Sequence, residues 1–400
     1  MERNSIMRGA AKPSFASEGC VSLRFPHVEC HACADICPVD AIEVAGGVLA
    51  VSSDCHGCAR CVPVCPTGAI TIDGPTTVGP ASSLAPSRPL RVECHRAPPE
   101  DAGQPRVTAR CLGALGVNGL LRLRLDAGDA PIQVVDRGWC AKCPAGGPGA
   151  HPAAAAVSDV QLLFEQLDLP RELAPALIRA PIDVAPLQFA IADDPSRGYT
   201  RRHILRRIVS RSNRAERRPA VSPIVKRAGR ARERLSARER DIRRSLIEHI
   251  AERWRSAVHD VGLPTANLGT GCADHRICVA VCPTGALHIA SDGSPEALAF
   301  DAVRCIECGA CATHCPEKAI NVTPGATAPG GEPLQWLKAL VTRECTECGD
   351  SYPDLGHGVE VCPSCRRSSG LFATLAVPRR APGRPVPHDD RRPAISIERG

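Results

Sequence analysis

The first half of the chain shows short apolar runs with two different periods. Residues 89–93, 107–111 and 132–136 carry runs of branched apolar side chains, which predict three β-strands. Residues 117–125 have the apolar spacing of a helix. Strands that alternate with a helix predict a small α/β domain over residues 88–145.

The connector that follows, residues 157–262, is predicted to be mainly helical. Apolar residues recur at helical spacing over 157–169, which predicts an amphipathic helix with a packing role. A longer helix is predicted from about Ser222 or Gly229 to Val258.

Positive charge is concentrated in this connector. Residues 197–257 contain 20 Lys or Arg and 6 Asp or Glu, a net charge of +14, whereas the whole chain carries +6. The favoured interpretation is a solvated helical spacer, followed by docking to an acidic redox partner. An anionic membrane surface is a further alternative. Nucleic-acid binding is disfavoured, because only 3% of the residues are aromatic side chains that could stack on bases.

Cysteine makes up 23 of the 400 residues, which is far above ordinary usage. The chain has no run of 18 apolar residues, so we expect no integral membrane segment. The first 20 residues lack the apolar stretch of a secretion signal, so we expect a cytoplasmic protein with reduced thiols. Metal or cluster ligation is then favoured over disulfide bonds.

The cysteines fall into four blocks of eight, four, seven and four residues, and none lies outside a block. Two segments, Cys55–Pro66 and Cys305–Pro316, carry the full run C-x2-C-x2-C-x3-C-P. Three closely spaced cysteines can hold one face of an iron–sulfur cluster, and the fourth, before proline, reaches the neighbouring cluster. Each full run is preceded by an incomplete run with the same spacing, in which one cysteine is missing. A repeat of the form Cys-Pro-x-x-Ala begins at Cys37, Cys65, Cys282 and Cys315.

Because of these cysteine runs and repeats, two segments resemble bacterial-type dicluster ferredoxins. In that family, paired repeats form an α+β fold around two [4Fe–4S] clusters. We name them module 1 (residues 18–75) and module 2 (residues 265–325). The resemblance implies two regular ligand sets, here named the Cys37 site (Cys37, Cys55, Cys58, Cys61) and the Cys282 site (Cys282, Cys305, Cys308, Cys311).

The other two ligand sets depart from the family pattern. In module 1 the expected first cysteine is His27, and either His27 or Cys20 completes the set. Cys20 is favoured, since thiolate is the usual ligand and Cys20 otherwise has no partner. This gives the Cys20 site (Cys20, Cys30, Cys33, Cys65).

In module 2 the expected second cysteine is His275, which leaves the Cys272 site (Cys272, His275, Cys278, Cys315). Three alternatives stay open here: His275 binds the fourth iron, Asp274 binds it, or the cluster is [3Fe–4S]. Three to four [4Fe–4S] clusters are therefore expected, with one [3Fe–4S] cluster as an alternative.

The last block forms the Cys345 site (Cys345, Cys348, Cys362, Cys365). Two C-x2-C pairs at this separation predict one tetrahedral four-sulfur site in a small β ribbon over residues 340–372, usually occupied by zinc. The pairs also resemble the knuckles of rubredoxin, which bind mononuclear iron. Zinc with a structural role is favoured.

The second block forms the Cys94 site (Cys94, Cys111, Cys140, Cys143) in the α/β domain. Cysteines near strand ends could converge on one site. The arrangement resembles the [2Fe–2S] domain of the small electron-transfer subunit of methyl-viologen-reducing hydrogenases, although His95 stands where that family has a further cysteine. A metal or [2Fe–2S] cluster is favoured over a redox-active Cys140/Cys143 dithiol or a structural role.

Together these features predict a multidomain α+β protein, with two ferredoxin-like modules, a small α/β domain between them, an Arg-rich helical segment, a C-terminal β ribbon and a disordered tail over 376–400. The predicted function is electron transfer, either alone or as a subunit serving a redox enzyme or another electron-transfer subunit. The alternatives are an Fe–S reductase with its catalytic or cluster-binding site at the Cys94 site and a regulatory Fe–S protein.

Overall fold

The structure is a computed structural model in which the chain divides into two compact units, Met1–Ala339 and Leu340–Gly400. It describes residues 12–74, 76–78, 88–98, 105–147, 149–183, 186, 225–226, 233–256, 261–290, 296–325, 333–340, 342–353, 360–362 and 364–366. Most of the Arg-rich stretch before residue 233 and the predicted tail over 376–400 lie outside the described residues. The architecture mixes helices with sheets, as expected for an α+β protein.

Module 1 consists of two antiparallel strand pairs and two short helices. Its elements in chain order are β1 (Pro13–Phe15), α1 (Val21–Arg24), α2 (Ala32–Asp35), β2 (Ile42–Ala45), β3 (Val48–Val51) and β4 (Ile70–Ile72). β1 pairs with β4, and β2 pairs with β3. The turn between β2 and β3 contains Gly46 and Gly47, both at positive φ, which glycine adopts without a steric penalty. Leu23 and Leu49 pack with buried cysteines in one small core.

The α/β domain contains a five-stranded sheet. Its elements are β5 (Thr77–Val78), β6 (Leu90–Cys94), β7 (Arg106–Ala109), α3 (Gly116–Ala127), β8 (Ile132–Asp136), α4 (Ala154–Gln166) and β9 (Ala176–Arg179). The strand order is β5-β7-β6-β8-β9, and all strands except the antiparallel β5 run parallel. The three predicted strands and the predicted helix are present as β6, β7, β8 and α3.

This domain extends beyond the boundary predicted at residue 145. The helix assigned to the connector is α4, and its Val160 and Phe164 are buried in the same core as Leu120 of α3. β9 then adds a strand beside β8. Sequence periodicity identified the helix but not its packing partner, because that partner is distant in the sequence.

The connector adds β10 (Val225–Lys226), which pairs with β3, and α5 (Arg238–Trp254). α5 begins later than predicted and ends where Arg255 adopts a left-handed φ of 56°. It packs on α3, and Ile250 is completely buried in the α/β core. α5 is therefore part of the packed structure, in contrast to the favoured interpretation of a solvated spacer.

Module 2 repeats the arrangement of module 1. Its elements are β11 (Thr265–Leu268), α6 (Ile277–Val281), β12 (Leu287–Ala290), β13 (Ala297–Asp301), α7 (Ala310–His314), β14 (Ile320–Thr323) and β15 (Leu334–Ala339). β11 pairs with β14 as β1 does with β4, and β12 pairs with β13 as β2 does with β3. β15 adds a third strand beside β13.

The second unit contains a short antiparallel hairpin of β16 (Thr342–Glu344) and β17 (Ser351–Pro353). The turn holds the first cysteine pair of the Cys345 site. Tyr352 is buried against Cys345 and Cys362, so this small core consists largely of the cysteines themselves.

Candidate metal centres

The structure brings the four thiols of the Cys20 site together. Burial raises the pKa of Cys20, and the nearby Cys30 and Cys65 thiolates raise it further. The same causes raise the pKa of Cys33 to about 12. His27, the alternative ligand, instead places Nε2 3.3 Å from the carbonyl oxygen of Val281 in module 2. The structure thus brings Cys20 close to the other three cysteines, and it places the His27 ring against module 2.

The thiols of the Cys37 site line a cavity of about 360 Å³, a volume that includes open solvent. Burial and then the surrounding thiolates, among them Cys37 and Cys55, raise the pKa of Cys58 to about 12. Backbone N–H groups partly oppose this rise: that of Arg60 donates to Cys58 and lowers its pKa. Buried thiols with converging N–H donors suit a bound cationic cluster, which stabilises the thiolate form.

The Cys-Pro-x-x-Ala repeat has a structural role that is visible in the hydrogen bonds. The amide N–H of the alanine donates to the sulfur of the preceding cysteine in three copies: Ala41 to Cys37 at 3.2 Å, Ala69 to Cys65 at 3.2 Å and Ala319 to Cys315 at 3.4 Å. The short turn after each cysteine therefore directs a backbone dipole at a predicted cluster ligand.

The Cys282 site lies beside two arginines from the connector. Burial raises the pKa of Cys305 to about 12, although the nearby guanidinium of Arg240 lowers it. Arg240 Nε also donates to the carbonyl oxygen of Cys305 at 2.7 Å, and Arg234 donates to the carbonyl oxygen of Cys282. Thiolates of the same set raise the pKa of Cys308 and Cys311, so all four thiols are close together.

Three cysteines of the Cys272 site line a cavity of about 410 Å³, open solvent included, together with Asp274 and His275. Burial first, and then the thiolates of Cys272 and Cys315, raise the pKa of Cys278 to about 11. The side chain of Asp274 is only 6% exposed, and its nearest cation is Arg276 at 3.6 Å. His275 is 43% exposed, and its Nε2 contacts Glu317 Oε1 at 2.9 Å.

The four thiols of the Cys94 site converge at the carboxyl ends of the parallel strands. Cys94 ends β6, Cys111 follows β7 and Cys140 follows β8. Burial raises the pKa of Cys94 to about 11 and those of Cys111 and Cys140 to about 12, and thiolates of the same set contribute to each rise. His95 lies beside them, but its Nδ1 is 2.6 Å from the carbonyl oxygen of Arg110.

Two residues near Cys140 were not identified from the sequence. Ligand atoms of Asp136, Cys140 and His151 all lie within 4.8 Å of one another. His151 Nδ1 accepts the N–H of Ala153 at 3.2 Å, and its buried Nε2 has no hydrogen-bond partner among the described residues. His151 stands in a stretch whose Ala, Gly and Pro composition predicts only a linker, so no sequence signal indicated it.

The Cys345 site differs from the others in its spacing. All four ligand sulfurs lie within 4.8 Å of one another, and Cys348 Sγ is 3.8 Å from Cys362 Sγ. Among the described residues, no three thiols of the other sites are this close. A tetrahedral ion with metal–sulfur bonds of about 2.3 Å needs sulfurs about 3.8 Å apart. The N–H of Cys362 donates to Cys345 Sγ at 3.2 Å and lowers the pKa of Cys345 to about 6.

In comparisons with known proteins, two segments of the chain match families of cluster-binding domains. Residues 27–74 match the LdpA Fe–S cluster-binding domain, and residues 270–319 match the 4Fe–4S dicluster domain. A stretch of 56 residues is 38% identical to one subunit of the Na(+)-translocating ferredoxin:NAD(+) oxidoreductase complex of Acetobacterium woodii. That similarity covers 14% of this chain and 16% of the relative, so the chain spans less than a fifth of the relative's length.

These matches support ferredoxin-like iron–sulfur cluster-binding segments in this chain. Within the described residues, no helix is both long enough and apolar enough to span a bilayer.

Proposed function

We propose that this chain is the electron-transfer subunit of a larger redox complex and that its two modules hold four iron–sulfur clusters. The observation that carries the proposal is the convergence of thiols in four separate sets, within segments that match cluster-binding families. The relative from A. woodii is itself a subunit of an oxidoreductase complex. A bound [4Fe–4S] cluster supplies one-electron chemistry, and the chain supplies ligands, hydrogen bonds and exclusion of water.

The spacing of the thiols supports clusters in the modules and a single ion at the Cys345 site. Thiols around a cluster are farther apart than thiols around one ion, and only the Cys345 site has its sulfurs within 4.8 Å among the described cysteine sets. We therefore assign zinc, or mononuclear iron, to the Cys345 site. We assign Cys20, and not His27, to the Cys20 site.

At the Cys272 site we assign the fourth position to Asp274. Its side chain is only 6% exposed, and it lines the same cavity as the three cysteines of this site. Carboxylate oxygens are metal ligands, and Arg276 at 3.6 Å is the ion-pair partner of this one. His275 is half-exposed and engaged by Glu317. A three-iron cluster that leaves this position empty is the alternative.

The convergence of four thiols at the Cys94 site favours a metal or cluster over a catalytic dithiol. A dithiol uses two thiols, whereas Cys94, Cys111, Cys140 and Cys143 all lie close to one another, as the ligands of one metal or cluster do. We assign a [2Fe–2S] cluster to this site in preference to the redox-active Cys140/Cys143 dithiol.

The experiment is an anaerobic purification of the full chain, followed by measurement of iron, acid-labile sulfide and zinc. We expect roughly 15–16 iron atoms from the modules, about 2 more from the Cys94 site and about one zinc. A count of about 8 iron atoms with several zinc ions would overturn the proposal of four module clusters.

A further inference from the structure

The two sites within each module are neighbours. In module 1, Cys33 of the Cys20 site and Cys61 of the Cys37 site pack in the same small core. In module 2, α6, which carries Cys278 of the Cys272 site, packs against α7, which carries Cys311 of the Cys282 site. Each module therefore contains one adjacent pair of sites.

The modules also contact each other, at the Cys20 and Cys282 sites. The Cys30 thiolate contributes to the raised pKa of Cys308, after burial and Cys282. Both cysteines pack against one small apolar cluster, formed by Val21, Phe25, Val28, Leu235 and Ala310. This cluster contains residues of both modules and of the connector, and the two cysteines that pack against it are partly buried.

A second contact joins module 1 to the α/β domain. The Cys111 thiolate of the Cys94 site contributes to the raised pKa of Cys58 in the Cys37 site. Arg60, between two ligands of the Cys37 site, donates to the carbonyl oxygens of Ala145 at 3.3 Å and Gly146 at 2.8 Å. Those two carbonyls lie two and three residues after Cys143, so the Arg60 side chain links the Cys37 site to the Cys94 site.

We infer that the chain arranges its five unit-1 cysteine sites in one unbranched row. The order is the Cys94 site, the Cys37 site, the Cys20 site, the Cys282 site and the Cys272 site. Cys30 and Cys308 form the crossing between the modules. The inference rests on the proposed function, since the row conducts only if the sites hold clusters.

The beginning of α5 and the residues before it hold this row in place. Glu239 donates its N–H to the carbonyl of Pro66 in module 1 at 3.2 Å. Leu235 donates its N–H to the carbonyl of Pro283 in module 2 at 2.9 Å. Asn118 of the α/β domain donates to the carbonyl of Glu239 at 2.9 Å. One short stretch of the connector therefore forms hydrogen bonds with module 1, module 2 and the α/β domain, which together carry the five sites.

The row implies two ends with different partners. The Cys94 site is one end and the Cys272 site is the other, so a one-electron donor docks near one of them and a one-electron acceptor near the other. Each transfer oxidises one centre by one electron and reduces its neighbour by one, and no atom is exchanged.

The test uses electron paramagnetic resonance on the fully reduced full-length chain, because paramagnetic neighbours split and broaden each other's signals. Cys33→Ala removes a ligand of the middle Cys20 site. We expect it to remove the part of the magnetic splitting at the Cys37 and Cys282 sites that comes from the Cys20 site, while the splitting of each by its other neighbour stays. Cys278→Ala, at the end of the row, is the matched control and should change only the Cys282 site.

The outcomes separate the inference from the proposed function. A wild-type chain without the expected iron and sulfide would contradict the proposed function. A chain with full iron and sulfide, in which the Cys282 signal is unchanged by Cys33→Ala, would overturn the row. If Cys33→Ala does not fold, graded reduction of the wild-type chain replaces it: splitting of the Cys282 signal must grow as the Cys20 site becomes reduced, and its absence would equally overturn the row.

Discussion

Arg240 of α5 and Cys305 of module 2 are joined by a hydrogen bond of 2.7 Å from the guanidinium Nε to the cysteine carbonyl oxygen. The same guanidinium forms an ion pair with Glu307 and lowers the pKa of Cys305 against the larger effect of burial. A residue 65 positions away in the sequence thus places a positive charge beside one thiol of the Cys282 site.

Arg240→Gln should lower the reduction potential of the Cys282 site. Reduction adds negative charge, which a nearby cation stabilises, so the loss of that cation favours the oxidised form. Potentiometric titration followed by electron paramagnetic resonance measures the shift. Arg244→Gln is the control, because Arg244 lies on the same helix and pairs with Glu248 at 3.0 Å on the surface. Equal shifts in both variants would contradict a local effect of Arg240.

Glu93→Ala should destabilise the α/β domain by about 3–5 kcal/mol. The Glu93 side chain is 3% exposed and pairs with Arg106 at 2.8 Å and with Arg137. Its removal leaves positive charge in a buried site without its carboxylate partner. Anaerobic denaturant unfolding, followed by circular dichroism, measures the loss.

The matched control for Glu93→Ala is Glu165→Ala. Glu165 pairs with Arg171 at 2.7 Å, but the two side chains are 48% and 84% exposed. The loss of an exposed pair should change the free energy of unfolding by less than about 1 kcal/mol. Similar losses in the two variants would show that burial of Glu93 is not the cause.

Asp274→Ala should reduce the iron bound at the Cys272 site, whereas His275→Ala should leave it unchanged. The reason is that Asp274 is buried against the cavity, whereas His275, which also lines it, is 43% exposed and engaged by Glu317. Iron and sulfide per chain, together with the resonance signal of the module, give the result. Loss of iron in His275→Ala alone would assign His275 as the ligand, and no loss in either variant would favour a three-iron cluster.

Cys362→Ser should remove the single ion of the second unit and leave the iron and sulfide of the modules intact. Cys362 is buried, and its sulfur lies 3.8 Å from that of Cys348 and accepts the N–H of Cys365 at 3.4 Å. Elemental analysis of zinc and iron distinguishes the two kinds of site. Ser364→Ala, within the same C-x2-C pair, is the control and should retain the ion. A parallel loss of sulfide would show that the Cys345 site is coupled to the clusters.

Local patterns were sufficient to predict many elements of this fold. Short apolar runs predicted β6, β7 and β8, and apolar residues at helical spacing predicted α3, because the period of the buried positions differs between strands and helices. The family's ligand pattern, and the lack of any other partner for Cys20, grouped Cys20 with Cys65, and the structure brings these thiols close together. The spacing of the cysteines carries this information because ligands of one cluster must reach the same small volume.

Contacts between distant segments could not be predicted in this way. The burial of α4 in the α/β core, the position of Arg240 and the approach of His151 to Cys140 all depend on packing between segments far apart in the chain. The Arg-rich composition suggested a solvated surface, yet part of that charge serves as hydrogen-bond donors to the carbonyls of cysteines. Composition reports the charge of a segment but not which surface it meets.

The donors of the Cys-Pro-x-x-Ala turns belong to the backbone, not to side chains. Any residue that keeps its amide hydrogen can serve at the alanine position of Cys37, Cys65 or Cys315 if it fits the available space. Proline is the exception, because it lacks the amide hydrogen. Hydrogen-bond donation to these three sulfurs therefore tolerates most substitutions at the alanine position. Side chains on neighbouring segments, such as Arg240, can then change the properties of a single site.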